Sequence, residues 1–242
     1  MKRFYQTAEA GRAEGALAIL LDGRPVRTPG RRLLAMPNEA LAAAVAAEWA
    51  GQGDTIRPDA MPLTRLTNTV VDQMPAKRGD ALVEVMGYAA TDLLCYRQAR
   101  PADLADRQAR TWQPWLDWAE REHGARLLVA MTLEPLPQPG PSLDALAAAA
   151  GALDDWRLVG LHGATRLTSS IVLGLALVEG AIDAEAAFDA ALLEELYEIE
   201  HWGLEAEQAK RHAALRAELA AAELYCRTLR PPHAGEDEGI IA

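Results

Sequence analysis

The chain has 242 residues, half of them apolar, which is enough for one large domain or two small ones with a real core. A formal charge of −11 excludes the phosphate-neutralising chemistry of nucleic-acid binding and adhesion to an anionic membrane surface, leaving a protein or a small molecule as partner. Cys95 and Cys226 are too few for a disulfide framework and read as reduced thiols.

The start, Met1-Lys2-Arg3-Phe4-Tyr5-Gln6, has neither the apolar stretch of a signal peptide nor an Arg- and Ser-rich presequence, so a cytoplasmic protein is expected. Residues 1–37 carry strand and turn signals. Short segments at 4–8, 17–21, 25–28 and 33–36 are separated by Gly11, Gly15, Asp22-Gly23 and Pro29-Gly30. Asp22-Gly23 between apolar flanks is the best hairpin turn, because both central positions of such a turn favour positive φ. A small antiparallel sheet follows.

From Asn38 onward the periodicity is helical. Asn38 caps a helix with Leu41, Val45 and Trp49 on one stripe, ended by Gly51 and Gly53. A second helix starts near Pro62 and is expected to stop at Pro75; a third spans about 80–90. Residues 101–124 form the next, with Trp112, Trp115 and Trp118 on one face and a fresh turn or a kink at Pro114. Residues 126–131 read as an extended segment, and Pro135, Pro137, Pro139 and Pro141 as a polyproline-like connector. Helices then follow at 142–152, 153–162, 165–178 and from 183, with Gly163, Gly174 and Gly180 interrupting or ending them and a bend at Trp202-Gly203. The apolar run at 171–178 is only eight residues, short of the ~20 needed to span a bilayer, so no membrane insertion is expected. The fold class is α+β: a small N-terminal antiparallel β domain with flanking helices over 1–80, a larger helical domain over 81–230, and a disordered tail over 231–242.

Nucleotide and zinc motifs are absent: no GxGxxG, GxxxxGK[ST], CxxC or HExxH occurs, and no cofactor or resident metal is expected. Thr168-Ser169-Ser170 lacks the GxSxG frame of a nucleophile and reads as hydroxyls facing a neighbouring helix. The enzymatic alternative is a di-iron carboxylate oxidase or oxygenase built on two Glu-x-x-His pairs, Glu120/His123 and Glu198/His201. A Glu-rich chain produces one such pair by accident, which weighs against it. The three tryptophans are an aromatic binding surface or, with better odds, core. Cys95 reads as a small buried hydrophobe, and Asp92 as a helix cap or the partner of Arg65 or Arg97. Residues 193–207, with Glu194, Glu195, Glu198, Glu200, Glu205 and Glu207 around Trp202, are either a solvated face or a protein-binding patch.

Several separated landmarks agree in order and spacing with one known family. They are Arg3-Phe4-Tyr5, residues 21–29, Glu48-Trp49 with Gln52, Ile56 with Pro58, Met61-Pro62-Leu63-Thr64-Arg65-Leu66, and Asp92-Leu93-Leu94-Cys95-Tyr96. Gln108 with Trp112, Ser170, and Glu195 with Trp202-Gly203 continue the pattern. In these the chain resembles the assembly chaperones that hold the ATP synthase alpha subunit. The resemblance implies a non-enzymatic protein that binds free alpha, shields its beta-binding surface and hands it over during assembly. It implies the bacterial cytoplasm here, the mitochondrial matrix in eukaryotic relatives, and a monomer when free. It places partner contacts at Glu194, Glu195, Glu198, Trp202 and Glu205, with Trp49, Arg65, Asp92 and Trp112 as structural landmarks. The chain departs from the family pattern at Glu198, where Gln is common, and at Leu204, where an acid is.

Overall fold

Two tight turns build the N-terminal sheet. In the computed structural model, which describes residues 1–131, 134 and 136–230, strands β1 (Ala8–Ala13), β2 (Ala16–Leu21) and β3 (Arg24–Pro25) form an antiparallel sheet in the order β1-β2-β3. Asp22-Gly23 turns β2 into β3 with φ of 48° and 77°, as its residues predict. Glu14-Gly15 does the same between β1 and β2, at 53° and 82°. The first strand therefore lies at 8–13 rather than 4–8, and Gly11 sits inside it instead of ending it. A side chain there would begin 2.6 Å from the Leu20 side chain of β2, so the glycine makes room for a neighbour. Residues 1–3 instead line the segment 54–56, where the Arg3 amide donates to the Asp54 carbonyl and the Ile56 amide to that of Met1, both at 2.8 Å.

Asn38 caps helix α1 (Glu39–Ala50), accepting from the Leu41 amide at 2.8 Å, and the stripe Leu41, Val45 faces the sheet. Helix α2 (Pro62–Ala89) corrects the expected stop at Pro75, because one helix runs through it and absorbs the separate element expected at 80–90. A proline inside a helix orphans the carbonyl four residues earlier, here that of Val71. Arg32, from the loop after the sheet, donates to that carbonyl at 2.7 Å and supplies the missing bond. The same loop is fixed by Asp72, which accepts from the Thr28 hydroxyl at 2.7 Å and the Gly30 amide at 2.8 Å. Helix α2 crosses the 80/81 boundary and contacts α1 at one end and α4, α5, α6 and α9 further along.

Helix α3 (Ala102–His123) runs through Pro114 and ends at Gly124, φ 73°. Residues 125–131 are extended, with Ala130 bridged in parallel to Tyr96. Then come α4 (Gly140–Gly151), α5 (Asp155–Thr168), α6 (Ile171–Glu179), α7 (Ala184–Ala191), α8 (Leu193–Trp202) and α9 (Ala206–Thr228). The expected breaks at Gly163 and Gly174 are corrected. Gly163 is interior to α5, which instead ends at Ser169 with φ 55°, and Ser170 caps α6. Gly174 is interior to α6 because α5 crosses it closely: a Cβ there would stand 3.1 Å from the Leu161 side chain and 3.2 Å from the Thr165 amide nitrogen. The expected bend at Trp202-Gly203 is present, and a further break at Leu192 separates α7 from α8. Pro135 and residues 231–242 lie outside the described residues.

Every residue of α6 from Ile171 to Val178 is buried, so the most apolar run in the sequence is the central helix of the core. Among the described residues no helix is long and apolar enough to cross a membrane. Trp112 and Trp118 are buried and Trp115 packs against the same cluster, which makes the tryptophan face core. Cys95 and Cys226 are free and buried, and burial pushes both thiols up to about 12.

Asp92 has no exposed surface and makes no ion pair among the described residues. Its oxygens accept from the Leu94 amide at 3.0 Å, the Ser170 hydroxyl at 2.9 Å and the Val172 amide at 3.2 Å. It is a cap on two elements at once, and Arg65 and Arg97 bond Glu218 and Gln113 instead. Burial raises its carboxyl to about 6 against the pull of those hydrogen bonds.

A folded pKa above the unfolded 3.8 makes the folded state bind the extra proton, so this group's stability is present below pH 4 and lost as pH rises to 6. About 3 kcal/mol is at stake. Urea unfolding of the wild type and Asp92→Asn between about pH 3 and 8 should show the wild type losing that amount relative to the variant, most of it between pH 4 and 6; parallel curves would refute it. Gly174→Ala should cost ~1–3 kcal/mol by overpacking α5 against α6, read as a lowered Tm.

Candidate functional site

The corner between α8 and α9 collects the acidic residues and the exposed tryptophan. Helix α8 is fastened to α3 along one side: Gln108 donates to Glu194 at 2.6 Å, Arg107 holds Glu200 with two bonds at 2.9 and 3.0 Å, and the Tyr197 hydroxyl donates to Asp103 at 2.9 Å. Gln108 is fully buried and also accepts from the Gln98 amide at 2.8 Å. Trp112 donates its indole N–H to the Ala190 carbonyl at 2.8 Å, fixing the end of α7 from which α8 departs.

Glu195 faces the other way, into α9. It accepts from the buried His212 Nε2 at 2.8 Å and is paired with Arg211. Desolvation raises its carboxyl, but the bonds and charges of His212 and Arg211 outweigh this and hold it below the usual carboxylate range. Glu194 and Glu195 are thus engaged within the chain. Glu198 is exposed and makes no ion pair among the described residues. Glu205 caps α9: its carboxylate accepts the Gln208 amide while the Gln208 side chain accepts the Glu205 amide at 3.2 Å, a reciprocal capping box. Gly203, at φ 90°, makes the turn between the helices. Trp202 beside it is 79% exposed and Leu204 52%. Beneath the corner lies a polar cavity of about 410 Å³ lined by Trp112, Glu194, Glu195, Glu198, Gln208 and Arg211.

The landmarks upstream have structural roles. The Glu48 carboxylate accepts from the Leu63 amide at 2.7 Å and from the Thr64 amide and hydroxyl at 2.8 and 2.7 Å, capping α2. The Trp49 ring packs against the core beside Tyr5, whose hydroxyl donates to the Trp49 carbonyl at 2.7 Å. Arg65 reaches Glu218 of α9 at 3.2 Å.

The two Glu-x-x-His pairs do not converge. His123 faces Glu179 at 3.3 Å and the edge of Trp118, Glu120 lies 3.8 Å from Arg126, and the His201 ring bonds the Tyr197 carbonyl at 2.8 Å. No group of three or more His, Cys, Asp or Glu side chains poised for a metal occurs among the described residues. Arg211 and His212 are the residues that sequence reasoning did not single out, and Leu204 entered it only as a departure from the family pattern. His212 was findable, since it continues the apolar stripe Leu215, Leu219, Ala222, Cys226 of α9 at spacings of three and four.

A profile described as ATP12 chaperone protein matches residues 2–120. The crystal structure of Atp12 from Paracoccus denitrificans superposes with a TM-score of 0.88 at 36% identity, over 95% of this chain and 98% of that one. The chain belongs to the ATP12 chaperone family. A single-residue mutant of the Paracoccus Atp12p superposes equally well. The mitochondrial protein atp12 of Schizosaccharomyces pombe is 22% identical over 250 residues, spanning 98% of this chain and 86% of that one. As an ATP12 family member the chain is a chaperone of ATP synthase assembly and not an enzyme.

Glu195→Gln should cost ~1–3 kcal/mol in urea unfolding, because it strips the charged partner from a buried histidine, while far-UV helicity stays at the wild-type level. Unchanged stability would show that the α8–α9 tie is not held by this pair.

Proposed function

We propose that this chaperone binds the free alpha subunit of ATP synthase, covers its beta-facing surface and releases it when beta arrives. Working in a bacterial cytoplasm as a monomer when free belongs to the same reading. An unpaired subunit exposes an apolar patch that drives aggregation, and a carrier must cover it without holding it permanently. The observation that carries the assignment is Trp202, a large aromatic 79% exposed beside the Gly203 turn, with Leu204 two residues on and Glu198 and Glu205 within four residues of it along the chain. An apolar anchor ringed by charge is how reversible interfaces are built: the anchor sets affinity and the rim sets rate and selectivity. In this reading Glu198, Trp202, Leu204 and Glu205 contact the client, while Glu194 and Glu195 hold α8 in position to present them.

Trp202→Ala should lower affinity for purified alpha subunit by tenfold or more, about 1.4 kcal/mol or greater, with helicity and Tm unchanged because the ring is already in water. Glu198→Lys should lower the association rate and its salt dependence. Wild-type affinity in Trp202→Ala would remove the assignment.

A further inference from the structure

At the opposite end of the chain's sequence, two cavities of about 580 and 360 Å³ flank the ring of Trp49 and share Met1, Val26, Arg27 and Trp49 as walls. Both fall in the size range of built ligand pockets. One is completed by Phe4, Tyr5, Leu21 and Pro25, the other by Leu34, Ile56 and Met61. Together they form an apolar double groove whose rim residues Met1 and Phe4 are 74% and 65% exposed.

Charge selects the occupant. The rim charge is positive. Asp22 is an anion held by the Gln6 and Thr7 amides at 3.0 and 2.8 Å, but Arg24, Arg27 and Arg65 also line the two cavities, and of these Arg24 has no ion pair among the described residues, Arg27 pairing with Glu14 and Arg65 with Glu218. Residues 1–37 contain seven Lys and Arg against three Asp and Glu, in a chain whose overall charge is −11. An acidic segment is drawn to this end and repelled from the rest of the molecule.

We propose that the double groove is a second docking point for the client, taking an extended client segment in which an apolar side chain enters beside Trp49 and an adjacent carboxylate meets Arg24. The proposal rests on the reading of the chain as a carrier of alpha. Two separated contacts explain how a modest patch at Trp202 could hold a large subunit, because the second engagement is intramolecular once the first is made.

The test places a photoreactive benzoylphenylalanine at Phe4 in one full-length variant and at Trp202 in another, irradiates each with purified alpha subunit, and identifies the joined peptides by mass spectrometry. The proposal expects the Phe4 variant to join an alpha peptide with Asp or Glu next to an apolar residue, and Arg24→Glu to weaken alpha binding about tenfold. Joining from Phe4 only to this chain's own Glu236-Asp237-Glu238-Gly239-Ile240-Ile241 would overturn it in favour of the tail as occupant. Joining to alpha from position 202 with none from position 4 would overturn the groove and keep the carrier reading. No joining and no binding at either position would remove both.

Discussion

Carboxylates set on the first turns of helices hold this molecule together. Asp92 does it in the dry centre, bridging the Leu94 turn to the start of α6; Glu48 does it at the start of α2. The physics is common to both. A helix start leaves amides without partners and carries partial positive charge, so an anion there answers two needs with one group. Burial raises both carboxyls, but Asp92, with no exposed surface, is pushed to about 6, which makes the central helix sensitive to pH. Because α6 is the element against which α2, α3, α5 and α9 pack, the position of that one carboxylate propagates through the core.

Much of the architecture was legible in the residues. Asn38, Pro62, Asp22-Gly23 and Gly203 each act where their local chemistry says they should, since capping and positive φ are decided within a few residues. Pro75, Gly163 and Gly174 misled for the opposite reason. Their conformations are settled by groups far away in sequence, an arginine from the sheet loop in the first case and a crossing helix in the last. Gly11 belongs with them, serving a neighbouring strand rather than a turn.

The candidate site divides in the same way. Trp202 beside Gly203 could be read as an exposed corner from the pair alone. The fates of the glutamates could not: Glu194 turns to Gln108 of α3, Glu195 to His212 of α9, and only Glu198 of the three stays free among the described residues. All three sit within five residues of one acidic helix, whereas the partners of the first two come from residues 86 and 17 positions away. Landmarks such as Glu48, Asp92 and Gln108 carry the family resemblance because they satisfy backbone groups at junctions between elements. They report ancestry and fold, and the function follows only through the family.

The bond from Arg32 to the Val71 carbonyl makes the longest helix a joint product of two distant stretches of chain. Until the sheet and its loop have docked, the ladder through Pro75 has a rung missing, and a helix in that condition is free to buckle there. During synthesis the donor emerges first and waits for its acceptor. Continuity of α2 through Pro75, and with it the spacing between the sheet and the helices at the helix's far end, is then a record that the early part of the chain has already reached its proper place.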